Sequence, residues 1–303
     1  MTGSTLEKPT AARPATPTRT ANRRRGNPRR TWGQAGVYAV LTVGALIILL
    51  PLVWIVLTSF KTDSDAIDHP ASPFPNPFSV DAYQTLFTSN EPILRWFLNS
   101  LAAGVLQTLL ILITASMGAY ALARLDFPGK KVVFGAIVLT LFVPPVIFLI
   151  PNYLIVQNLG WLDSIWAITI PGSAGAFGIF FLRQFMLGLS AEIEDAAYID
   201  GAGPLRVFFR ITLPMTAPQI TALSLLTFIN TWNDYFWPLL IANSPSIQPL
   251  TLGLAVFKQS SPESSTDWAG LMAATLVAAA PMLLLFVVFS RRIVNSIGFT
   301  GIK

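Results

Sequence analysis

The sequence predicts an all-α integral membrane protein with six transmembrane helices, and three observations carry that prediction. Of 303 residues, 53% are hydrophobic and only 12% are charged, about half the roughly 25% charge of an ordinary soluble domain, and the mean hydropathy is +0.59. Six apolar stretches, near 36–58, 97–123, 132–151, 164–182, 216–241 and 269–290, each approach the roughly 20 residues that cross about 30 Å of hydrocarbon as a helix. The connections between them alternate in charge: residues 1–31, 124–131, 183–210 and the C-terminus hold 17 of the 20 Lys and Arg residues, and the opposite faces hold only Lys61, Arg95 and Lys258. By the positive-inside rule both termini are expected in the cytoplasm, as an even number of spans requires. Helices are expected because backbone exposed to lipid must satisfy its own hydrogen bonds.

Residues 1–31, rich in Thr, Pro, Ala and Arg and ending in "NRRRGNPRR", read as a disordered basic cytoplasmic tail with too little apolar surface to order it. The tail fixes topology rather than binding nucleic acid. Residues 32–60 form the first transmembrane anchor. Their apolar run is too long for a signal peptide, lacks a clear small-x-small cleavage site and follows a large basic region. Residues 61–95 form an extracytoplasmic loop whose prolines favour extended backbone, suited to cap a pore. Residues 96–303 form the core membrane domain, which includes the loop 190–214. Pro144, Pro145 and Pro151 should kink the third span, and "PGSAGAFGIF" in the fourth supplies small residues for close helix packing.

Several chemistries are excluded or left without candidates. Cysteine is absent, so there is no disulfide framework, thiolate zinc site or cysteine nucleophile. The one histidine, His69, lies in the Pro-rich loop, and neither a metal site nor a catalytic residue is assigned. "FPGKK" lacks the earlier glycine and the hydroxyl of a phosphate-binding P-loop, so this chain is expected to bind no cofactor and no ATP in that manner.

The segment "EDAAYIDGAGPLRVFFRITLP", Glu194–Pro214, breaks the apolar pattern on the cytoplasmic side. Ser190 is a good helix N-cap, and Glu192, Glu194 and Asp195 fall where the helix dipole favours negative charge. Gly201 suits a left-handed C-terminal stop, and Pro204 suits the first position of a second short helix. The segment therefore reads as a helix–turn–helix lying along the membrane surface. Ile193, Ala197 and Gly201 give one small, mostly uncharged face that another protein could approach closely. A plug for a cytoplasmic partner and a solvated connecting loop both fit the residues alone.

At this segment the chain resembles the permease subunits of binding-protein-dependent ABC importers. Their loop reads E-A-A, three residues, G, nine residues, I-x-L-P. Here Asp195-Ala196-Ala197, Gly201, Ile211 and Leu213-Pro214 stand at those intervals. From about Ser59 to the C-terminus, "FLNSL", "AYALARLDFPGKK", "PNYLIVQNLGWLDS", "FFLRQF", "TWNDYFWPL" and "DWAGLMAATLVAAAP" are similar to the maltose-type, carbohydrate-uptake branch. The resemblance implies a six-helix permease bundle in the bacterial cytoplasmic membrane with no catalysis of its own. It implies as partners an ABC ATPase dimer carrying ATP and Mg, an extracytoplasmic solute-binding protein, and a second permease subunit, a different chain in the favoured reading and otherwise a copy of this one. It also implies Glu194, Asp195, Ala196, Ala197, Asp200, Gly201, Ile211, Leu213 and Pro214 as ATPase-coupling residues. Asp195 stands where the family has its leading glutamate, and Glu194 beside it could substitute, so either carboxylate could meet the ATPase.

In the fifth span, "TFINTWNDYFWPLL" places Asn230, Asn233 and Asp234 at i, i+3 and i+4, on one helical face. An ionisable group at that depth should face the bundle interior or water. Asn230, Trp232, Asn233 and Asp234 are therefore candidates for the path of a sugar, with tethering to a neighbouring helix or an aromatic belt as the alternative. Asn99, Gln107, Thr108, Thr114 and Ser116 in the second span fit either a path or interhelical bonding. Two rivals are weaker. An ion-coupled secondary transporter needs midplane carboxylates, and only Asp234 comes near. A membrane hydrolase needs a nucleophile–base pair, and "PGSAG" lacks the first glycine of Gly-x-Ser-x-Gly. A permease for a non-sugar solute remains the nearer alternative.

Overall fold

The computed structural model describes residues 28–88, 92–259 and 267–297. The disordered tail expected over 1–31 lies outside them except for its last four residues, which are helical. Every regular element among the described residues is a helix. The chain divides into two compact units, one ending at Pro51 and the other beginning at Leu52. Helix α1 (Pro28–Thr58) opens on a proline, which loses nothing at a first-turn position where the N–H has no helical partner. Pro51 lies inside α1, where a proline removes a backbone hydrogen bond, and it marks the division between the units.

The second unit begins with the loop expected to be extended throughout, and there the structure differs. Two short helices, α2 (Asp63–Asp68) and α3 (Asp81–Thr88), flank an irregular Pro-rich stretch over 69–80. Thr62 starts α2 because its Oγ1 accepts from the Asp65 N–H at 3.3 Å. Lys61 is buried at 2% exposure; its Nζ donates to the His69 carbonyl at 2.8 Å and lies 3.7 Å from Asp65 Oδ2. Both short helices pack on α15 (Trp268–Ile297), the last helix among the described residues.

The second span is α4 (Ile93–Arg124), the axis of this unit. It packs against α7 (Ile165–Thr169), α8 (Ala176–Leu187), α12 (Ala217–Trp232) and α14 (Leu250–Gln259). Beyond Arg124 the chain is extended at Leu125 and re-enters a helix at Gly129, whose φ of +82° precedes α5 (Lys130–Thr140). The expected kink in the third span is a full break. After α5 come a 3-10 turn at Pro145–Phe148 and α6 (Leu149–Asn158), bent by 96° from α5. Pro145 has no N–H to continue α5, and it biases Pro144 away from helical backbone.

The fourth and fifth stretches are also interrupted. Residues 170–175 separate α7 from α8, and residues 233–235 separate α12 from α13 (Phe236–Ile241). Among the described residues, three helices are long and apolar enough to cross a membrane alone: Gly36–Thr58, Ile93–Arg124 and Trp268–Phe289 of α15 (Trp268–Ile297). The small residues of "PGSAGAFG" do serve packing. A Cβ at Gly175 would lie 3.0 Å from Ile111 Cγ2, and one at Gly178 would lie 2.9 Å from Ala115 Cβ. Gly172 abuts Gln107, so three glycines meet three successive turns of α4. The core beside them joins Ile111, Ala115 and Tyr120 of α4 to Leu182 and Met186 of α8 and Leu223 of α12.

Candidate functional site

Between α8 and α12 the chain forms a hairpin. Its first leg is α9 (Ala191–Ile199); its second runs through α10 (Pro204–Val207), a π-helical turn (Phe208–Thr212) and α11 (Leu213–Met215). The legs bend 81° from α8 and 76° from α12, so both run across the ends of those helices rather than along them. Ser190 occupies the N-cap position of α9, although its side chain makes no capping bond. The turn is closed as the sequence required. Gly201 has φ +81°, its N–H donates to the Tyr198 carbonyl at 3.0 Å, and the Ala202 N–H donates to the Ala197 carbonyl at 2.9 Å. These two bonds form a Schellman stop, which needs a left-handed residue at the glycine position. Pro204 then begins α10.

The two adjacent carboxylates part company. Asp195 is exposed together with Glu192, Ala196, Asp200 and Gly201, and Ile199 at the tip is 86% exposed. Glu194 turns inward to 5% exposure. Its Oε1 accepts from Thr212 Oγ1 at 3.0 Å and faces Arg124 Nε at 3.1 Å; the latter is an oblique charge contact rather than an aligned hydrogen bond. Arg124 Nη2 also donates to the Leu189 carbonyl at 2.8 Å. Beside this pair, Tyr120 OH donates to the Pro204 carbonyl at 3.2 Å and lies 3.1 Å from Tyr198 OH. The two carboxylates between which the sequence left the choice open are thus in different environments: Glu194 is bonded inside the chain, and Asp195 is exposed. Of the other candidates, Pro214 is exposed, and Ala197, Ile211 and Leu213 are half-buried at the base of the hairpin.

Sequence reasoning missed Arg124, Thr212, Tyr120 and Tyr198. Arg124 entered only as one of the positive-inside charges, since nothing in a one-dimensional pattern pairs it with Glu194, 70 positions away. The cap, glycine and proline positions, Ser190, Gly201 and Pro204, were legible because each acts within one turn of itself.

The polar group of the fifth stretch is arranged differently from expectation. Helix α12 ends at Trp232 with Asn233 as its C-cap, so Asn230, Asn233 and Asp234 do not share a helical face. Trp232 is 2% exposed, its Nε1 donates to the Ala278 carbonyl at 3.2 Å, and its ring meets Phe97 edge-on at 5.5 Å. It is a core residue, corrected from a path candidate. Asn230 and Asn233 are exposed, and Asn233 Nδ2 donates to its own helix at Ile229. Asp234 is half-buried, and its Oδ1 accepts from the Trp237 N–H at 3.5 Å at the start of α13. In the second span, Thr114 Oγ1 donates to carbonyls of its own helix and of Ser173, and Thr227 Oγ1 donates to Thr108 Oγ1 at 3.4 Å. Interhelical bonding accounts for these two threonines.

A groove of about 670 Å³ runs between α4 and the second leg of the hairpin, lined by Leu109, Leu112, Met117, Phe209, Pro214 and Ala217 among others. Its walls are almost wholly apolar, the wrong chemistry for a polyhydroxylated solute. Among the described residues, no cluster of three or more His, Asp or Glu residues could hold a metal ion.

Comparison with known proteins gives a consistent assignment. Residues 111–298 match the family described as binding-protein-dependent transport system inner membrane component. A probable ABC transporter permease protein of Bacillus subtilis is 32% identical over 284 residues, covering 91% of each chain. A diacetylchitobiose uptake system permease protein of Streptomyces coelicolor is 32% identical over 262 residues, 86% of each chain. The fold is similar to a chain in the crystal structure of a bacterial ABC transporter involved in the import of the acidic polysaccharide alginate. That likeness has a TM-score of 0.78 at 23% identity and covers 88% of this chain and 97% of that one.

Proposed function

The chain belongs to the family of binding-protein-dependent transport system inner membrane components, and on that premise we propose that it is the multi-pass permease subunit of an ATP-driven importer of a sugar, whether a mono-, di- or oligosaccharide. It forms half of a translocation path with a second permease subunit. An extracytoplasmic binding protein delivers the sugar, and a separate ATPase dimer, which holds the ATP and Mg, drives the cycle. Both termini and the hairpin face the cytoplasm, and the chain itself performs no catalysis.

One observation supports coupling most strongly. A hairpin closed by Gly201 stands across the helix ends and presents Asp195, Ala196, Asp200 and a nearly bare Ile199. An isoleucine so exposed, ringed by carboxylates, has the character of the anchor and rim of a protein–protein contact. The carboxylates would accept charge-assisted bonds from a basic socket. Transmission requires that the socket grip the hairpin differently in its open and closed forms. Sugar as the solute follows from what the similar diacetylchitobiose and alginate systems carry. We read Asn230 and Asn233, exposed amides at the end of α12, as groups that bond the sugar's hydroxyls. A single half-buried carboxylate, Asp234, is thin provision for an ion-coupled transporter.

Pull-down in detergent tests the reading. The ATPase should co-purify with the unaltered chain and be lost on Gly201→Asp, which puts a side chain and a charge at a left-handed position, or on deletion of 192–201. An ATPase that stays bound to both variants contradicts the docking. The sugar class is checked by identifying the carbohydrate retained on the co-purifying binding protein; an amino acid or a metal chelate there overturns it.

A further inference from the structure

We infer that Arg124, Glu194 and Thr212 form the fastening through which displacement of the hairpin is passed to α4 and, by α4, to the loop at the far end of the bundle. The inference rests on the reading of the hairpin as an ATPase handle.

The three residues come from three elements. Glu194 lies on the first leg, Thr212 ends the π-helical turn of the second, and Arg124 is the last residue of α4. They meet at one carboxylate oxygen, Glu194 Oε1, 3.0 Å from Thr212 and 3.1 Å from Arg124. Both charged side chains are nearly buried, at 12% and 6% exposure. A solvated connecting loop has no need of a buried ion pair, because apolar residues of similar size would stabilise it as well or better. What a buried pair adds is a fixed register among the elements it joins. A second tie makes the joint stiff in another direction: Tyr120, one turn back along α4, bonds the Pro204 carbonyl at the head of the second leg. A hairpin bound to α4 at Leu189, Glu194 and Pro204, with Thr212 tying its second leg to Glu194, cannot shift without taking α4 with it.

The other end of α4 is fastened in the same manner. Trp96 Nε1 donates to the Pro245 carbonyl at 2.9 Å, and Asn99 Nδ2 donates to the Ser246 and Gln248 carbonyls, each at 3.0 Å. Ser100 Oγ accepts from the Leu250 N–H at 2.8 Å. Both fastenings lie on one unbroken helix of 32 residues, about 48 Å long at 1.5 Å per residue. The apolar stretches that hold α8 and α12 are interrupted, whereas α4 is continuous, so α4 is the stiff member that joins the hairpin to the far loop. The residues of the node are positioning residues: they touch neither sugar nor nucleotide.

The chain has no cysteine, so one introduced thiol is the only one on this subunit, and its labelling is read on this subunit after the complex is separated. Ser246→Cys, on the far loop, is labelled with a membrane-impermeant maleimide in the full complex, with and without MgATP and vanadate to trap the ATPase closed. With the node intact, trapping should change the labelling rate severalfold. Arg124→Gln should abolish the change, and Thr212→Val should diminish it, while the ATPase remains bound and still traps nucleotide. Thr212→Ser, which keeps the hydroxyl, should restore the full response. No change on trapping in the unaltered node, or an undiminished change in Arg124→Gln and Thr212→Val, overturns the proposal. So does loss of the response only in proportion to loss of ATPase, since the node would then merely shape the docking face. Should Arg124→Gln fail to accumulate, the Thr212→Val and Thr212→Ser pair decides. Failure of the ATPase to accompany even the unaltered chain would instead sink the importer reading itself.

Discussion

At Glu194 and Asp195, neighbours in sequence, the physics diverges: one carboxylate is exposed and the other is held against Arg124 and Thr212. Removing one partner of such a buried pair leaves an uncompensated charge, at a cost of about 3–5 kcal/mol. Arg124→Met is therefore expected to lower the thermal midpoint of the detergent-solubilised chain sharply. Arg124→Met combined with Glu194→Met should recover most of that loss, as a double-mutant cycle would show. Asp65 makes the second residue-scale case, in the loop between the first two spans. The Asn76 backbone N–H, with Lys61 and His69 beside it, holds the Asp65 carboxyl below its ordinary value against the opposing effect of burial. A carboxyl depressed in the folded state stabilises fully above the ordinary aspartate value of about 3.9 and loses that contribution as pH falls through the lower folded value. Protection of the Asn76 amide against hydrogen exchange, taken relative to the intrinsic rate at each pH, should accordingly persist in mild acid and fall only in the pH range below about 3.9; protection lost well above that range would contradict the assignment. The pairings of Glu194 with Arg124 and Thr212, and of Asp65 with Asn76, were not legible in the sequence, because each joins residues well separated along the chain. The Gly201 stop was legible, because a left-handed residue between a helix and Pro204 is a local demand.

At the scale of elements, the six apolar stretches were readable from composition, and their continuity was not. Hydropathy counts residues soluble in lipid and is blind to whether a backbone turns among them. Hence "PGSAG" and Asn233–Tyr235 passed as span interiors although helices stop at both. The closely packed glycines were readable as small residues, and the structure adds what they pack against. A Cβ at Gly178 would sit 2.9 Å from Ala115 Cβ and 3.2 Å from Leu223 Cδ2, with no flexible chain end on the α4 side to give way. Gly178→Ala is expected to cost roughly 1–3 kcal/mol through overpacking between α4 and α8, measured as a lower unfolding temperature. A neutral result would mean that the two helices part more easily than their buried contact implies. Gly135, with nothing within 4 Å of a built Cβ, is the matched control and should tolerate alanine.

At the scale of the whole molecule, the proposed coupling has force enter at the hairpin and pass along α4. Family membership supplies the class of machine, and the exposed residues of the hairpin are the surface proposed to meet the partner. The direct measurement uses Ile199→Cys, at the most exposed point of the hairpin tip, in the otherwise cysteine-free chain. An impermeant maleimide should label it in inside-out vesicles stripped of ATPase, leave it unlabelled from outside intact cells, and lose access again when the ATPase is restored. Labelling from the outside of intact cells, or labelling unaffected by the bound ATPase, would contradict the account.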